Sequence, residues 1–124
     1  MARIISSAPQ LAVTDVQKTI GFYEKIGFSV VNTLENDGRK VYGMVIKDGF
    51  QIHFIETKKE KIHFNTDLNP LASDLILWIP EIEEFYQKVI QLDIEIDEPM
   101  TKRIYGNTEF SFKDIDGHKI LVCD

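Results

Sequence analysis

Hydrophobic and polar positions divide the chain into two halves that share one order of predicted elements. In the first half, a segment poor in charge at residues 4–13 predicts a strand, and the pair Thr14-Asp15 predicts the start of a helix that ends at Gly27. Further strands are predicted at residues 28–34, 40–46 and 50–56. The first half is therefore predicted to be β-α-β-β-β.

The second half repeats this order after a polar stretch. Residues 57–73 are rich in Lys, Glu, Asn and Asp, which predicts a linker, and the helix that begins at Pro80 carries acidic residues in its first turn. Its strands are predicted at residues 75–79, 94–97, 108–113 and 119–123, with Pro99 lying beyond the second of them. Because such a repeat reflects architecture, one α+β domain spanning 1–124 is predicted, with modules at about 1–57 and 73–124 and a linker at about 58–72.

Strand alternation predicts which side chains face the helices and which face away from them. The helix-facing set is entirely apolar, whereas the opposite set is mixed, so each sheet has one face free to enclose a ligand. The helix-facing set is Leu11, Val13, Ile52, Phe54, Leu75, Leu77, Ile79, Ile120 and Val122. The opposite set is Ala8, Gln10, Ala12, Gln51, His53, Ile55, Asp74, Ile76, Trp78, Lys119, Leu121 and Cys123.

Composition narrows the classes of protein. With 124 residues and 44% hydrophobic residues, the chain has the size of one globular domain that needs no disulfide to hold its core. The 20 acidic against 14 basic residues give a net charge of -6, which argues against a nucleic-acid partner. The single cysteine, Cys123, and the lack of a signal-like or bilayer-length apolar run predict a cytoplasmic protein without a membrane partner.

Three short motifs give the sequence a family resemblance. They are Pro9-Gln-Leu-Ala-Val-Thr-Asp-Val, Phe22-Tyr-Glu-Lys-Ile-Gly-Phe and Tyr105-Gly-Asn-Thr-Glu-Phe-Ser-Phe-Lys-Asp-Ile-Asp-Gly-His. In order and spacing the chain resembles the glyoxalase, bleomycin-resistance and extradiol dioxygenase group, the vicinal oxygen chelate superfamily. The resemblance implies paired βαβββ modules that form a cupped, mostly antiparallel mixed sheet, in a homodimer with the ligand cavity inside the cup.

The same resemblance bears on metal chemistry, because metal-dependent members carry ligands at four positions. Those positions correspond here to Ala8, His53, Asp74 and Leu121, and two of these side chains cannot bind a metal. The resemblance therefore implies a protein without a metal cofactor. In an alternative register, Gln10 replaces Ala8 and forms a divalent-metal site with His53 and Asp74.

The predicted ligand-binding residues are Gln10, His53, Asp74, Trp78, Tyr105 and Glu109. Trp78 offers a face to an aromatic or cationic ligand, and Asp74 could pair with a positive group. Each also has a structural interpretation: Trp78 as an interface aromatic, Asp74 as a solvated strand end, and Glu109 as an acceptor for a basic or backbone partner. His63 and His118 are predicted to be exposed, and Cys123 to be an unreactive strand residue.

Three functions remain open from the sequence. The first is a metal-independent protein of the bleomycin-resistance type that sequesters a cationic or aromatic small molecule in a dimeric cavity, without catalysis. The second is a metal-dependent lyase, isomerase or dioxygenase that uses Gln10, His53 and Asp74. The third is a structural or regulatory domain whose cup is closed by side chains. The sequence leaves the identity of the ligand open.

Overall fold

The computed structural model describes residues 1–124, and their contacts fall into two units, Met1–Ile62 and His63–Asp124. Unit 1 contains β1 (Gln10–Val13), α1 (Val16–Lys25), β2 (Ser29–Asn36), β3 (Arg39–Lys47), β4 (Phe50–Glu56) and a 3-10 turn at Lys59–Lys61. Unit 2 contains α2 (Asn65–Leu68), β5 (Leu75–Trp78), α3 (Ile82–Gln91), β6 (Ile96–Lys102), β7 (Thr108–Lys113) and β8 (Lys119–Cys123). The predicted α+β class and the repeated βαβββ order are confirmed.

The two sheets have the same topology. Their strand orders are β1-β4-β3-β2 and β5-β8-β7-β6, and in each the first strand pairs in parallel with the last while the other pairs are antiparallel. Both sheets are therefore mixed and mostly antiparallel. None of the helices has the length and hydrophobicity that crossing a bilayer requires.

In unit 1, α1 begins and ends where the sequence predicts. The Asp15 side chain accepts a hydrogen bond from the backbone N–H of Lys18 at 3.0 Å, and Gly27 has a φ of 109° just after the helix. The helix packs on one face of the sheet, where Tyr23 and Phe54 are fully buried. Gly43 lies under this helix, where a Cβ would be in tight contact with the side chains of Val16 and Ile20.

In unit 2, α3 covers its sheet in the same manner. Phe85 packs against Phe110 and Phe112, with ring centroids 6.2 Å apart in each pair, and Val89 is fully buried. In both units the strand side chains predicted to face the helices are buried or half-buried. The predicted alternation is therefore confirmed.

Three expectations from the sequence were wrong, two about strands and one about the burial of a histidine. Residues 4–9 are not in a strand, because the pairing of β1 with β4 begins only at Gln10 and His53, and Ile4 is 89% exposed. The strand predicted at 94–97 instead runs through Pro99 to residue 102. Proline is tolerated there because β6 is an edge strand with register shifts on either side of Glu98.

The third correction concerns His118, which is buried rather than exposed. Its ring Nδ1 lies 3.1 Å from Oδ2 of Asp114, and the ring of Phe64 packs edge-on against it with centroids 5.1 Å apart. Sequence alone did not reveal this, because the turn that carries His118 is covered by Phe64 from the region predicted as linker. His63 is exposed, as predicted.

Candidate functional site

The face of the first sheet that points away from α1, here called the first open face, carries a chain of hydrogen bonds. Gln10 Nε2 donates to the hydroxyl of Tyr42 at 2.9 Å, and that hydroxyl lies 2.8 Å from His53 Nδ1. His53 Nε2 lies 2.8 Å from Oε1 of Gln51. Because the Gln51 oxygen can only accept, this network assigns the ring proton to Nε2 and makes Nδ1 the acceptor for Tyr42. Both nitrogens of His53 are therefore used within the protein.

Strand register brings these side chains together. His53 on β4 is the partner of Gln10 on β1, and Tyr42 on β3 is the partner of Ile55, one row away. The Tyr42 ring meets the imidazole edge-on at 5.6 Å. Ile55 is 41% exposed, and Leu34, the β2 partner of Tyr42, is 54% exposed. Oriented polar groups thus lie among exposed apolar side chains, as in small-molecule sites.

The corresponding face of the second sheet, the second open face, is built in rows across its strands. Trp78, Cys123 and Glu109 form one row on β5, β8 and β7, and Ile76 and Leu121 belong to the next row. Trp78 is 68% exposed and Ile76 is 42% exposed, whereas Cys123 and Glu109 are buried. This face therefore presents an aromatic surface beside a buried carboxylate.

Glu109 is the centre of a hydrogen-bonded cluster on this face. Its Oε1 accepts from Arg103 Nε at 2.6 Å and from the Tyr105 hydroxyl at 2.9 Å, while Cys123 Sγ lies 3.5 Å from Oε2. Burial acts to raise the pKa of Glu109, but the hydrogen bonds from Arg103, Tyr105 and Cys123 outweigh it and hold the pKa below its usual range. The carboxylate is therefore kept ionised beneath its donors.

A second group of charges adjoins Glu109. Glu98 accepts from Lys119 Nζ at 2.9 Å and from Arg103 at 3.1 Å, and Asp97 lies 3.6 Å from Lys119. Burial acts to lower the pKa of Lys119, but Glu98 and Asp97 outweigh it and raise the pKa. No buried side-chain nitrogen or oxygen lacks a hydrogen-bond partner, so the buried part of this cluster is fully satisfied.

Asp74 is held by backbone groups at the start of β5. Its Oδ1 accepts the N–H of Asn65 at 2.8 Å, and its Oδ2 accepts the N–H of Lys119 at 2.9 Å. These two bonds account for Asp74 without a ligand and favour the structural interpretation of this carboxylate.

The residues at the four positions implied by the resemblance do not fit a divalent metal. Ala8 and Leu121 offer no donor, the ring nitrogens of His53 bind Tyr42 and Gln51, and both oxygens of Asp74 bind backbone N–H groups. In the alternative register Gln10 donates to Tyr42 through Nε2, and its two partners, His53 and Asp74, remain engaged in the hydrogen bonds just described. No group of three His, Cys, Asp or Glu side chains is arranged to hold a metal ion.

Tyr42 and Arg103 are the site residues that sequence reasoning missed. Tyr42 could have been found by extending the alternation to the strand predicted at 40–46, because it shares the face of Met44, the register partner of His53. Arg103 lies in an irregular turn, where no strand alternation predicts which way a side chain points.

A groove of about 1010 Å³ lies elsewhere in unit 1. It is lined by Thr14, Arg39 and residues 56–61, none of which was predicted as a site residue.

Two βαβββ units, each with a helix on one sheet face and a mixed polar and apolar opposite face, define an α+β protein of the paired-module class. The sequence matches the Glyoxalase/Bleomycin resistance protein/Dioxygenase superfamily over residues 5–122. The chain belongs to this superfamily. No curated protein matches the sequence.

Solved structures with the same fold include both a binding protein and an enzyme. A bleomycin-binding protein in complex with bleomycin is 21% identical, with a TM-score of 0.70 over 98% of each chain. TioX from Micromonospora sp. ML1 is 15% identical, with a TM-score of 0.77 over 95% of this chain and 96% of TioX. A glyoxalase-related enzyme from Clostridium phytofermentans is 19% identical, with a TM-score of 0.79 over 98% of this chain and 95% of that one. Function must therefore be argued from the site.

Proposed function

We propose that this chain is a metal-independent binding protein that sequesters a small cationic or aromatic molecule on its open sheet faces. The observation that carries the proposal is that the polar side chains on these faces satisfy one another while large apolar side chains beside them stay exposed. On the first open face His53 is saturated by Tyr42 and Gln51. On the second, Glu109 is saturated while Trp78 is 68% exposed.

Such a surface favours binding over metal-assisted chemistry. A catalytic metal needs several free donors and an open coordination position, and the side chains at the implied positions are either apolar or engaged. Exposed aromatic and aliphatic side chains gain free energy when a ligand covers them, and the oriented polar groups set its direction. The bleomycin-binding relative supports this function by analogy.

We further propose that the binding form is a homodimer in the cytoplasm and that a second copy of the chain completes the cavity. Exposed Trp78, Ile76 and Ile55 on otherwise regular strands would then be covered in part by the partner and in part by the ligand. A single cysteine fits a reducing compartment. Sedimentation analysis would give the mass of a dimer, whereas a monomer at binding concentrations would contradict this part.

Two measurements on the same preparation test the function. Elemental analysis of protein purified without chelators should find no stoichiometric zinc, nickel, manganese or iron. Titration with bleomycin, followed by calorimetry and by fluorescence, should give saturable binding. Trp78 is the only tryptophan, so its emission reports directly from the second open face. Trp78→Phe removes the optical signal and should weaken binding measured by calorimetry.

The His53→Ala variant separates the two functions. Under the binding proposal, metal content stays at background in both the wild-type protein and the variant. A stoichiometric metal that is lost in His53→Ala, together with activity restored when the metal is added back, would establish the metal-dependent alternative and overturn the proposal.

A further inference from the structure

The carboxylate of Glu109 is buried, yet the groups that cover it come from the surface. Its side chain is 10% exposed, and its Oε1 accepts from both Arg103 and Tyr105. These two donors belong to one segment, residues 103–107, here called the 103–107 turn. The same turn therefore supplies the cation that neutralises Glu109 and the hydroxyl that covers it.

Few other interactions hold this turn. Its backbone hydrogen bonds are internal, from the N–H of Arg103 to the carbonyl of Asn107 at 2.7 Å and from the N–H of Gly106 to the carbonyl of Arg103 at 3.0 Å. The pairing of β6 with β7 reaches its last partners at Lys102 and Thr108, next to the turn. Ile104 is fully exposed and Tyr105 is 66% exposed. The two ends of the turn are thus fixed by strand pairing, whereas the side-chain bonds of Arg103 and Tyr105 are what hold it to Glu109.

The two partners of the ion pair differ in how they are anchored. Glu109 lies inside β7, paired with Cys123 on one side and Thr101 on the other, whereas Arg103 lies outside the ladder. Arg103 also binds Glu98 at 3.1 Å, so it keeps a carboxylate partner when it leaves Glu109. Glu109 would be left as a buried unpaired charge, which is strongly unfavourable unless another cation replaces the guanidinium. The exchangeable member of the pair is therefore the cation.

We propose that Glu109 is the binding site for a planar cationic group of the ligand, an amidinium or guanidinium, and that the 103–107 turn occupies this site when no ligand is bound. This inference rests on the proposed binding function and names its ligand class. A planar cation can offer the carboxylate two directed N–H donors, in place of the single Nε–H of Arg103 and the hydroxyl of Tyr105. An anionic group cannot bind here in the same way, because it would have to replace the Glu109 carboxylate as the partner of Arg103.

Trp78 indicates where the rest of the ligand lies. Trp78 and Glu109 lie in the same row, with Cys123 on the strand between them. Two strand spacings correspond to about 10 Å across the sheet. The Trp78 ring is largely exposed. An aromatic group attached to the cation can therefore extend over Cys123 towards the indole. The site selects a ligand that is cationic at one end and aromatic at the other.

Benzamidine, benzamide and benzoate form a matched probe set for this site. They share one ring and differ in charge, and Trp78 fluorescence and calorimetry report their binding. Benzamidine should bind at least about tenfold more tightly than the other two. Arg103→Gln should strengthen benzamidine binding by about tenfold, because the competing cation is gone and the site is open in a larger fraction of molecules. Glu109→Gln should abolish the preference for benzamidine over benzamide.

Two further variants keep the test decisive. Arg39→Gln breaks the bidentate pair with Glu56 in unit 1, at 2.8 Å for both bonds, and should leave benzamidine binding unchanged. If Glu109→Gln does not fold, benzamidine binding by Tyr105→Phe provides the second test. This variant removes the hydrogen bond from the turn to Glu109 without a change of charge, so it should bind benzamidine more tightly.

Equal binding of benzamide and benzamidine, or weaker benzamidine binding by Arg103→Gln, would overturn the inference. Failure of all three probes with retained bleomycin binding would overturn the inference and leave the proposed function standing. A stoichiometric metal required for activity would overturn the proposed function by a separate measurement.

Discussion

Asp74 and Lys119, 45 residues apart in sequence, are joined by two hydrogen bonds. Oδ2 of Asp74 accepts the backbone N–H of Lys119 at 2.9 Å, and the N–H of Asp74 donates to the carbonyl of Lys119, also at 2.9 Å. The pair lies one row before Leu75 and Ile120, where the parallel pairing of β5 and β8 begins. The side chain therefore fixes the register of this parallel pair at its first row.

Asp74→Asn is expected to lower stability rather than affinity. The amide keeps only one acceptor oxygen, so the N–H of Asn65 or that of Lys119 loses its partner, at a cost of roughly 1–3 kcal/mol in the free energy of unfolding. Urea denaturation measures the loss, and Asp37→Asn, at an exposed turn carboxylate, serves as the control. Unchanged stability with weakened bleomycin binding would instead restore Asp74 as a ligand residue.

The two glycines Gly43 and Gly21 are expected to respond in opposite ways to replacement by alanine. A Cβ on Gly43 would lie 3.0 Å from both Ile20 Cδ1 and Val16 Cγ1, so these side chains would have to give way, at a cost of roughly 1–3 kcal/mol. A Cβ on Gly21 meets nothing within 4 Å. Because Gly21 is inside α1, Gly21→Ala should stabilise the protein by roughly 0.5–1 kcal/mol.

Urea denaturation of the two alanine variants beside the wild-type protein measures both effects. A neutral Gly43→Ala would show that the Ile20 and Val16 side chains repack without cost, and destabilisation by Gly21→Ala would contradict the open space beside that glycine.

The sequence predicted best those features that depend on alternation within one strand. The bounds of β4, β7 and β8 agree with the predicted segments 50–56, 108–113 and 119–123, because their buried apolar positions recur with a period of two. The repeated order of elements followed from the same signal. The register between strands was predicted less well. His53 pairs with Gln10 and Leu121 pairs with Ile76, each two residues after Ala8 and Asp74, the positions first set against them.

Features that depend on a neighbouring element could not be predicted in this way. Pro99 is compatible with β6 only because that strand has a free edge, and a strand's place in its sheet is not written in local sequence. His118 is buried because Phe64 covers it, and Arg103 reaches Glu109 through the path of a turn. In each case the deciding contact lies outside the periodic segment.

The two modules also show how one register supports two chemistries. Gln10 and His53 occupy the row that Ile76 and Leu121 occupy in the second sheet. The first pair joins a hydrogen-bonded chain through Tyr42, whereas the second pair is apolar and leaves the polar chemistry to the row of Glu109. The repeat therefore fixes the backbone positions of the site, and the side chains at those positions decide its function.

The pair of His118 and Asp114 is expected to make stability depend on pH. Burial acts to lower the pKa of His118, but the hydrogen bond and charge of Asp114 outweigh it, so the pKa is raised from its ordinary value of about 6.5. A raised pKa means that the folded protein binds the proton more tightly than the unfolded chain. This contribution is complete below the unfolded pKa and is lost as pH rises through the folded pKa.

The variant His118→Asn isolates this contribution. The difference in unfolding free energy between the wild-type protein and His118→Asn should be largest in mildly acidic buffer and should decrease as pH rises above the folded pKa. Urea denaturation at a series of pH values measures it, and the comparison cancels the titration of the other groups. A difference that grows with pH would mean that the histidine is buried without its proton.

Cys123 is expected to be almost unreactive in the folded protein. Burial, and after it the hydrogen bond to Glu109, raise the pKa of this thiol to about 11. About one thiol in a thousand is then ionised at pH 8, and only the thiolate is a nucleophile. Alkylation by iodoacetamide, followed by mass spectrometry, should be at least about a hundredfold slower in native protein than in urea-unfolded protein.

The charge of Glu109 accounts for part of this protection. Glu109→Gln removes the neighbouring negative charge, so the thiol pKa falls and alkylation accelerates, whereas Glu24→Gln on the exposed surface of α1 changes nothing. A native rate equal to the unfolded rate would show that the 103–107 turn does not shield this face. If the turn does shield it, Arg103→Gln should also accelerate alkylation, because loss of the ion pair frees the turn and exposes the Glu109 cluster to solvent and reagent.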